Sequence, residues 1–385
     1  MGGPFEDLPV VGHAAAASAA VVLSSSLTHP LDSLKTLLQV GASSKQKLGL
    51  SQVVERVRSM SGIPGLYIGL GWSIMGKIPG LGARFGTYEL LGAFYKDKLI
   101  KDLMLTRKDA MGRYGREDNY VYVSESMLAG IAAGAVEAVV CTPFELVMHR
   151  KQVASTSPSR TLGPGMATKL LPKYSPNVKA WIHTIGLLSS LPTKHSNLDS
   201  ALKKYPWMLT GSGKLPLASS VRGPLDINSL EGSSALWRGL RAGITRDSVY
   251  GGIFFSLWQF IHIGMLNWKA LDINPPPSSI NEVGPVSPMA SSLAAGFSGA
   301  VAAAVSHSFD TAKTRSQCAV VPKYISMERK FLRWQTPGIW LERVTGTNPA
   351  DRGILFRGIG LRMACSGLAS FALVSSYLFA VQHLL

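Results

Sequence analysis

Three segments of this sequence repeat one chemical pattern: HPLDSLKTLLQ (29–39), TPFELVMHRKQ (142–152) and HSFDTAKTRSQ (307–317). Counted from Pro30, Pro143 and Ser308, a carboxylate stands two residues on (Asp32, Glu145, Asp310), a base five or seven on, and a glutamine nine on (Gln39, Gln152, Gln317). A carboxylate and a base three apart lie about one helical turn from each other. With three copies around an axis, each carboxylate can meet the base of the next copy. Charges in apolar surroundings cost several kcal/mol unless paired or hydrated. A ring of such pairs is stable when closed and hydratable when open, which is the chemistry of a gate. A proline inside a helix removes a backbone donor and crowds the preceding turn, so Pro30 and Pro143 predict kinks. Ser308 implies a weaker or hydrogen-bond-induced bend. The sequence offers no nucleophile–base pair, metal-ligand cluster or Gly-rich phosphate loop after a strand. An enzyme is therefore not expected, and no catalytic residue, metal or cofactor is assigned.

The elements that must position these groups are long and apolar. The chain has 385 residues, 46% apolar and only 16% charged, with 39 Lys+Arg against 23 Asp+Glu and a net charge of +16. The stretches 8–31, 248–268, 283–309 and 363–385 contain no Asp, Glu, Lys or Arg, and each has the length of a bilayer-spanning helix. Two more apolar segments carry charges: 71–95 has Lys77, Arg84 and Glu89, and 124–148 has Glu137 and Glu145. Six spans follow, a soluble all-α bundle being the bland alternative. The loops on one side (40–70, 153–230, 318–358) sum to +14 and those on the other (1–9, 96–123, 268–288) to −1. This asymmetry is expected of a polytopic membrane protein, and nucleic-acid binding is not needed to explain the basic excess. Segment 153–230 is rich in Pro, Ser, Gly and Lys and reads as an irregular insertion. The N-terminus shows neither a secretory n-region nor an Arg-rich transit peptide. Cys141, Cys318 and Cys365 are too far apart in sequence for a zinc motif and read as apolar fillers.

A second pattern opens the even spans: GIPGLYIG (62–69), GSSALWRG (232–239) and DRGILFRG (351–358), with an aromatic residue nineteen beyond each last glycine, namely Tyr88, Trp258 and Tyr377. The shared spacings divide the chain into repeat 1 (1–100), a connecting loop (101–123), repeat 2 (124–268, with the insertion at 153–230), a second loop (269–288) and repeat 3 (289–385). The small residues of Ala129–Gly134 and Ala295–Gly299 are expected to let helix backbones approach.

These motifs resemble those of the mitochondrial carrier family, whose odd helices carry P-x-[DE]-x-x-[KR]-x-[KR] and whose even helices open on [FWY]-[KR]-G. The resemblance implies an all-α membrane fold of six transmembrane helices in three two-helix repeats with pseudo-threefold symmetry, with short surface helices in the matrix-side loops. It implies a multi-pass, monomeric protein of the mitochondrial inner membrane. It also implies a matrix gate in which Glu145 pairs with Lys313 and Asp310 with Lys35. Asp32 lacks its partner because position 148 is Met148, unless Arg150 or Lys151 substitutes. Gln39, Gln152 and Gln317 fall at the family's brace positions. The opposite, cytoplasmic gate is largely lost, with Glu89, Gln259 and His262 as its residue. Cardiolipin is expected at Gly69, Gly239 and Gly358.

For the substrate, the resemblance points to Gly76, Arg241 with Ala242, and Cys365, and Arg84 and Arg246 share their helical faces. Intramembrane arginines are costly facing lipid and attract carboxylate or phosphate through a planar fork. Glu137 is either their internal salt-bridge partner or a contact for an ammonium group. The expected function is transport of a small anionic or zwitterionic metabolite, a carboxylate or amino acid, by alternating access; phosphorylated compounds are also compatible. The alternative is a degenerate carrier-fold protein acting as a membrane scaffold or receptor.

Overall fold

The computed structural model describes residues 8–40, 49–107, 123–155, 222–271, 273, 283–318 and 356–384. Most of the 153–230 insertion, parts of both connecting loops and residues 351–355 of the third opening motif lie outside these. The described helices are α1 (Leu8–Val40), α2 (Leu50–Ser61), α3 (Leu70–Arg107), α4 (Val123–Ala154), α5 (Pro224–Glu231), α6 (Leu240–Leu271), α7 (Pro288–Val305), α8 (His307–Cys318) and α9 (Ile359–Leu384). Among the described residues there is no strand.

Six rods therefore form the bundle: α1, α3, α4, α6, the broken pair α7–α8, and α9. They contact in chain order, α3 on α4, α4 on α6, α6 on α7, α7 on α9, and α9 closing back onto α1. Among the described residues, five helical segments are long and apolar enough to cross a membrane; α3, which carries Lys77, Arg84 and Glu89, does not meet that standard by composition. The side-chain distribution is inside-out relative to a soluble protein. Leu23, Leu27, Leu90, Phe94, Val139, Phe260, Leu293, Phe297 and Phe379 are exposed, while Lys35, Gln39, His149, Arg150, Asp310, Lys313 and Arg362 are buried. Apolar residues outside and charges inside are what lipid as solvent selects.

The short helices sit at the end of the bundle that bears the basic loops. Val53 and Val57, one turn apart on α2, bury against Leu37 and Leu38 of α1, and this narrow apolar stripe fixes α2 beneath the bundle.

Glycines set the closest approaches. A Cβ at Gly134 would lie 2.0 Å from the Asp247 carbonyl oxygen, and one at Gly130 would lie 2.4 Å from that of Gly251, so α4 and α6 touch backbone to backbone. Gly296 and Gly367 do the same, less tightly, between α7 and α9. The small-residue runs are packing faces, as their spacing implied.

Pro30 and Pro143 lie within continuous helices, whereas the repeat lacking proline is the one that breaks, at Ser306. Three side-chain hydrogen bonds accompany the break. The Ser306 hydroxyl donates back to the Ala302 carbonyl (2.8 Å), and the Arg362 guanidinium donates to both the Ser306 carbonyl (2.9 Å) and its hydroxyl oxygen (2.8 Å). These side chains share carbonyls that still accept their backbone bonds from Ser306 and Asp310, and a side chain inserted into the helix ladder is a known cause of bending where proline is lacking.

Candidate functional site

The three carboxylates converge at the basic-loop end of the bundle. Glu145 pairs with Lys313, whose side chain is 0% exposed. Lys35 Nζ reaches Asp310 at 3.3 Å and Asp32 at 2.9 Å. Both inter-repeat pairs that the resemblance implied are thus in contact. The third is absent: Arg150 is buried against Glu231 and donates Nε to the Gln317 carbonyl, and Lys151 lies over the Trp72 ring. Neither replaces a base at position 148. Asp32 is held instead by its own Lys35 and by the Gln152 amide (3.1 Å).

The glutamines follow the same cyclic order. Gln39 donates to Asp310 (3.1 Å) and Gln152 to Asp32, each reaching the carboxylate of the preceding repeat. Gln317 departs from it, accepting from His149 Nδ1 at 2.7 Å. Gly69, Gly239 and Gly358 have φ of +96°, +83° and +78°, conformations glycine adopts without strain. Each also sits on the odd helix of the next repeat, against Met148, Lys313 with Ser316 and Gln317, and Lys35 with Leu38 respectively. Two histidines pin these corners from within their own repeat, His29 Nε2 to the Ile68 carbonyl (3.3 Å) and His307 Nε2 to that of Arg357 (2.9 Å).

Because Met148 occupies the empty link beside Gly69, Met148→Lys is expected to supply Asp32 with an inter-repeat partner. A pair contributing ~1 kcal/mol shifts the thermal midpoint of a chain this size by about 1 °C. The detergent-purified variant should unfold that much higher than wild type. A lower midpoint would count against the vacant-link assignment.

Beyond this ring lies a cavity of about 260 Å³ lined from all six rods. Gly76, Arg84, Glu137, Arg246 and Cys365 line it, together with Ser24, Thr28, Lys77, His149, Asp247, Tyr250, Phe254, Arg362 and Ser366. Arg84 is paired with Glu137 and lies 5.0 Å over the Tyr250 ring. Gly76 lets α3 press on α4, where a Cβ would meet Phe144 at 2.7 Å. Arg246 belongs to the ring as much as to the cavity: it contacts Glu145 (2.8 Å), Asp247 (2.7 Å) and Asp310 (3.2 Å).

Arg241 and Ala242 do not line the cavity, Arg241 being exposed and Ala242 buried. α6 begins at Leu240, so these residues occupy its first turn, and the helix reaches the level of the cavity one to two turns later, at Arg246, Asp247 and Tyr250. Asp247 and Arg362 were not anticipated. Both are ionisable residues in an apolar helix, Asp247 directly after Arg246 and Arg362 directly before the uncharged stretch 363–385, and that is the signal that marks them.

At the other end of the bundle the aromatic positions hold no comparable ion-pair ring among the described residues. Tyr88 stacks on Phe255 at 3.9 Å and donates to Ser126 Oγ (3.2 Å), Trp258 stacks on His262, and Tyr377 meets His13 (3.3 Å). Glu89 is exposed and Gln259 half-buried. The arrangement is a polar cavity closed by ion pairs at one end and faced with aromatics toward the other.

A family profile described as "Mitochondrial carrier protein" matches residues 6–99. The chain is similar to a succinate/fumarate mitochondrial transporter of Saccharomyces cerevisiae, 24% identical over 308 residues that cover 78% of this chain and 70% of the relative. It is similar to a probable mitochondrial 2-oxoglutarate/malate carrier protein of Dictyostelium discoideum, 30% identical over 36% of this chain and 38% of the relative. It is also similar to a mitochondrial adenine nucleotide transporter of Arabidopsis thaliana, 28% identical over 44% of this chain and 46% of the relative.

Proposed function

Because the chain belongs to the mitochondrial carrier family, and is therefore a multi-pass transporter of the mitochondrial inner membrane and not an enzyme, we propose that it carries a small carboxylate or amino acid by alternating access. The observation that carries this reading is the polar cavity with a ring of ion pairs sealing one end. Binding between helical repeats over a closable gate is what alternating access requires. In this reading Asp32, Lys35, Glu145, Asp310 and Lys313 form the matrix gate, braced by Gln39, Gln152 and Gln317, with Arg246 and Arg362 as further cations of the same ring.

The cavity's charge balance favours the substrate class. It is lined by Asp32, Glu137, Glu145, Asp247 and Asp310 and by Lys35, Lys77, Arg84, Arg246 and Arg362. Such a lining suits a solute that exchanges partners with existing pairs, a carboxylate taking Arg84 and an ammonium taking Glu137. Two of the relatives are named for dicarboxylates and one for adenine nucleotides; the balanced lining fits the former better than a polyanion. Three units, 1–100, 124–268 and 289–385, act as pseudo-symmetric repeats, and the helix starts after Gly69, Gly239 and Gly358, whose first N–H groups have no intrahelical acceptor, receive cardiolipin phosphates.

Thermal unfolding of the detergent-purified protein with succinate, 2-oxoglutarate, malate, aspartate, arginine and ATP tests this, since a ligand of the folded state stabilises it by mass action. One chemical class among the carboxylates and amino acids is expected to raise the midpoint by several degrees, and Arg84→Gln to lose that rise. The exposed Glu89 and the aromatic far end favour a second reading, a non-transporting scaffold. Cooperative unfolding with no shift from any compound would support it instead.

A further inference from the structure

Every charged side chain lining the cavity lies within 4 Å of an opposite charge except one. Asp32 and Asp310 share Lys35, Glu145 and Asp247 share Arg246, Arg84 has Glu137, and Arg362 reaches Asp310 at 3.6 Å. Lys77 has no ion pair among the described residues, although it lines the cavity and is only half-buried. It follows Gly76 on α3, at the point where that helix is pressed onto Phe144, so its backbone is fixed while its ammonium faces the cavity. His29 and Asp32 of α1 and Cys365 of α9 are close enough to feel its charge. The unmatched cation therefore lines the same cavity as the one gate carboxylate that receives no base from the next repeat.

An unpaired ammonium at membrane depth is expensive, and such groups persist where an ion from solution completes them. We propose that Lys77 is the anchor for the anionic group of the transported solute, a carboxylate docking between α1, α3 and α9 directly beside the incomplete link of the gate. This rests on the transport reading and adds to it which side chain selects the charge. Arginines 84, 246 and 362 are then held in pairs that the solute must break, whereas Lys77 is available at the outset.

Cys365 reports the local potential without any knowledge of the substrate. In the full-length chain carrying Cys141→Ser and Cys318→Ser, the rates at which Cys365 reacts with an anionic thiosulfonate (sulfonatoethyl) and a cationic one (trimethylammonioethyl) are compared, each normalised to a free thiol. The anionic reagent is expected to be favoured, with Lys77→Gln lowering the ratio several-fold and Lys77→Arg keeping it. Succinate is the second probe: its thermal shift should fall at least tenfold in apparent affinity in Lys77→Gln and persist in Lys77→Arg. An unchanged reagent ratio, or a succinate shift of equal affinity in Lys77→Gln, would overturn Lys77 as the anchor and leave the transport reading standing. A ratio that drops as expected in Lys77→Gln, while the folded wild-type protein neither binds nor moves any compound tested, would keep the anion site and overturn the transport reading.

Discussion

Asp310→Asn is expected to abolish uptake and to lower the thermal midpoint more than any other single change in the ring. Asp310 is 1% exposed and is approached by Lys35 (3.3 Å), Arg246 (3.2 Å), Arg362 (3.6 Å) and the Gln39 amide (3.1 Å). Neutralising it removes a carboxylate shared by three buried cations, of which Arg362 loses the partner within 4 Å while Lys35 keeps Asp32 and Arg246 keeps Glu145 and Asp247. Removing one partner of a buried pair costs about 3–5 kcal/mol, which for a chain of this size corresponds to a fall of about 4–6 °C. Asp32→Asn is the internal comparison. Its cation, Lys35, retains Asp310, so the loss should be the smaller of the two. Equal midpoints for wild type and Asp310→Asn would remove the ring from any account of this fold.

Gly134→Ala is expected to be comparably severe through sterics alone. The added methyl would sit 2.0 Å from the Asp247 carbonyl oxygen and 2.4 Å from its carbonyl carbon. Both are backbone atoms, so α4 and α6 must separate, and Asp247 would be drawn away from Arg246. Overpacking of a well-filled contact costs about 1–3 kcal/mol when side chains can give way, and a backbone-to-backbone clash belongs at or above the top of that range. Gly82→Ala and Gly86→Ala on α3 provide the control, since nothing lies within 4 Å of either position. There alanine's better helix propensity, up to about 1 kcal/mol, should leave stability unchanged or raised. Thermal unfolding of the three variants separates the cases; a Gly134→Ala midpoint equal to that of Gly82→Ala would refute the close α4–α6 contact.

The ring was legible from sequence because its information is local. Two and five residues after a helix marker fix a face, and three copies of that face can only converge. Spacing and the cyclic arrangement showed that a carboxylate can meet the next copy's base; the particular pairs Glu145 with Lys313 and Asp310 with Lys35, and the vacancy at Met148, were what the family resemblance implied. The cavity was less legible for a geometric reason. A helix turns by about 100° per residue, so placing the second-repeat contact at Arg241 and Ala242 set it on the wrong face and a turn or more short of the cavity. The charged pair that faces the cavity is Arg246 with Asp247.

The third-repeat bend was legible in kind only. Ser308 in place of proline implied a hydrogen-bond-induced bend, and the interruption lies two residues earlier, at Ser306, where the donor is Arg362 from a helix some fifty residues on in sequence. No periodicity in one segment encodes a donor supplied by another. Lys77 was visible as an intramembrane charge, but only the pairing of every other charged group lining the cavity sets it apart.

The most direct test of the central claim is uptake of radiolabelled succinate, 2-oxoglutarate and aspartate into proteoliposomes loaded with the same unlabelled compound, by wild type and by Glu145→Gln. Glu145 touches both Lys313 and Arg246, so its neutralisation opens one closed link of the ring while removing only a single charge. Saturable uptake of at least one compound by wild type, lost in Glu145→Gln, is the predicted result. A folded wild-type protein that moves none of them, or a Glu145→Gln variant that transports at the wild-type rate, would contradict a carrier gated by this ring.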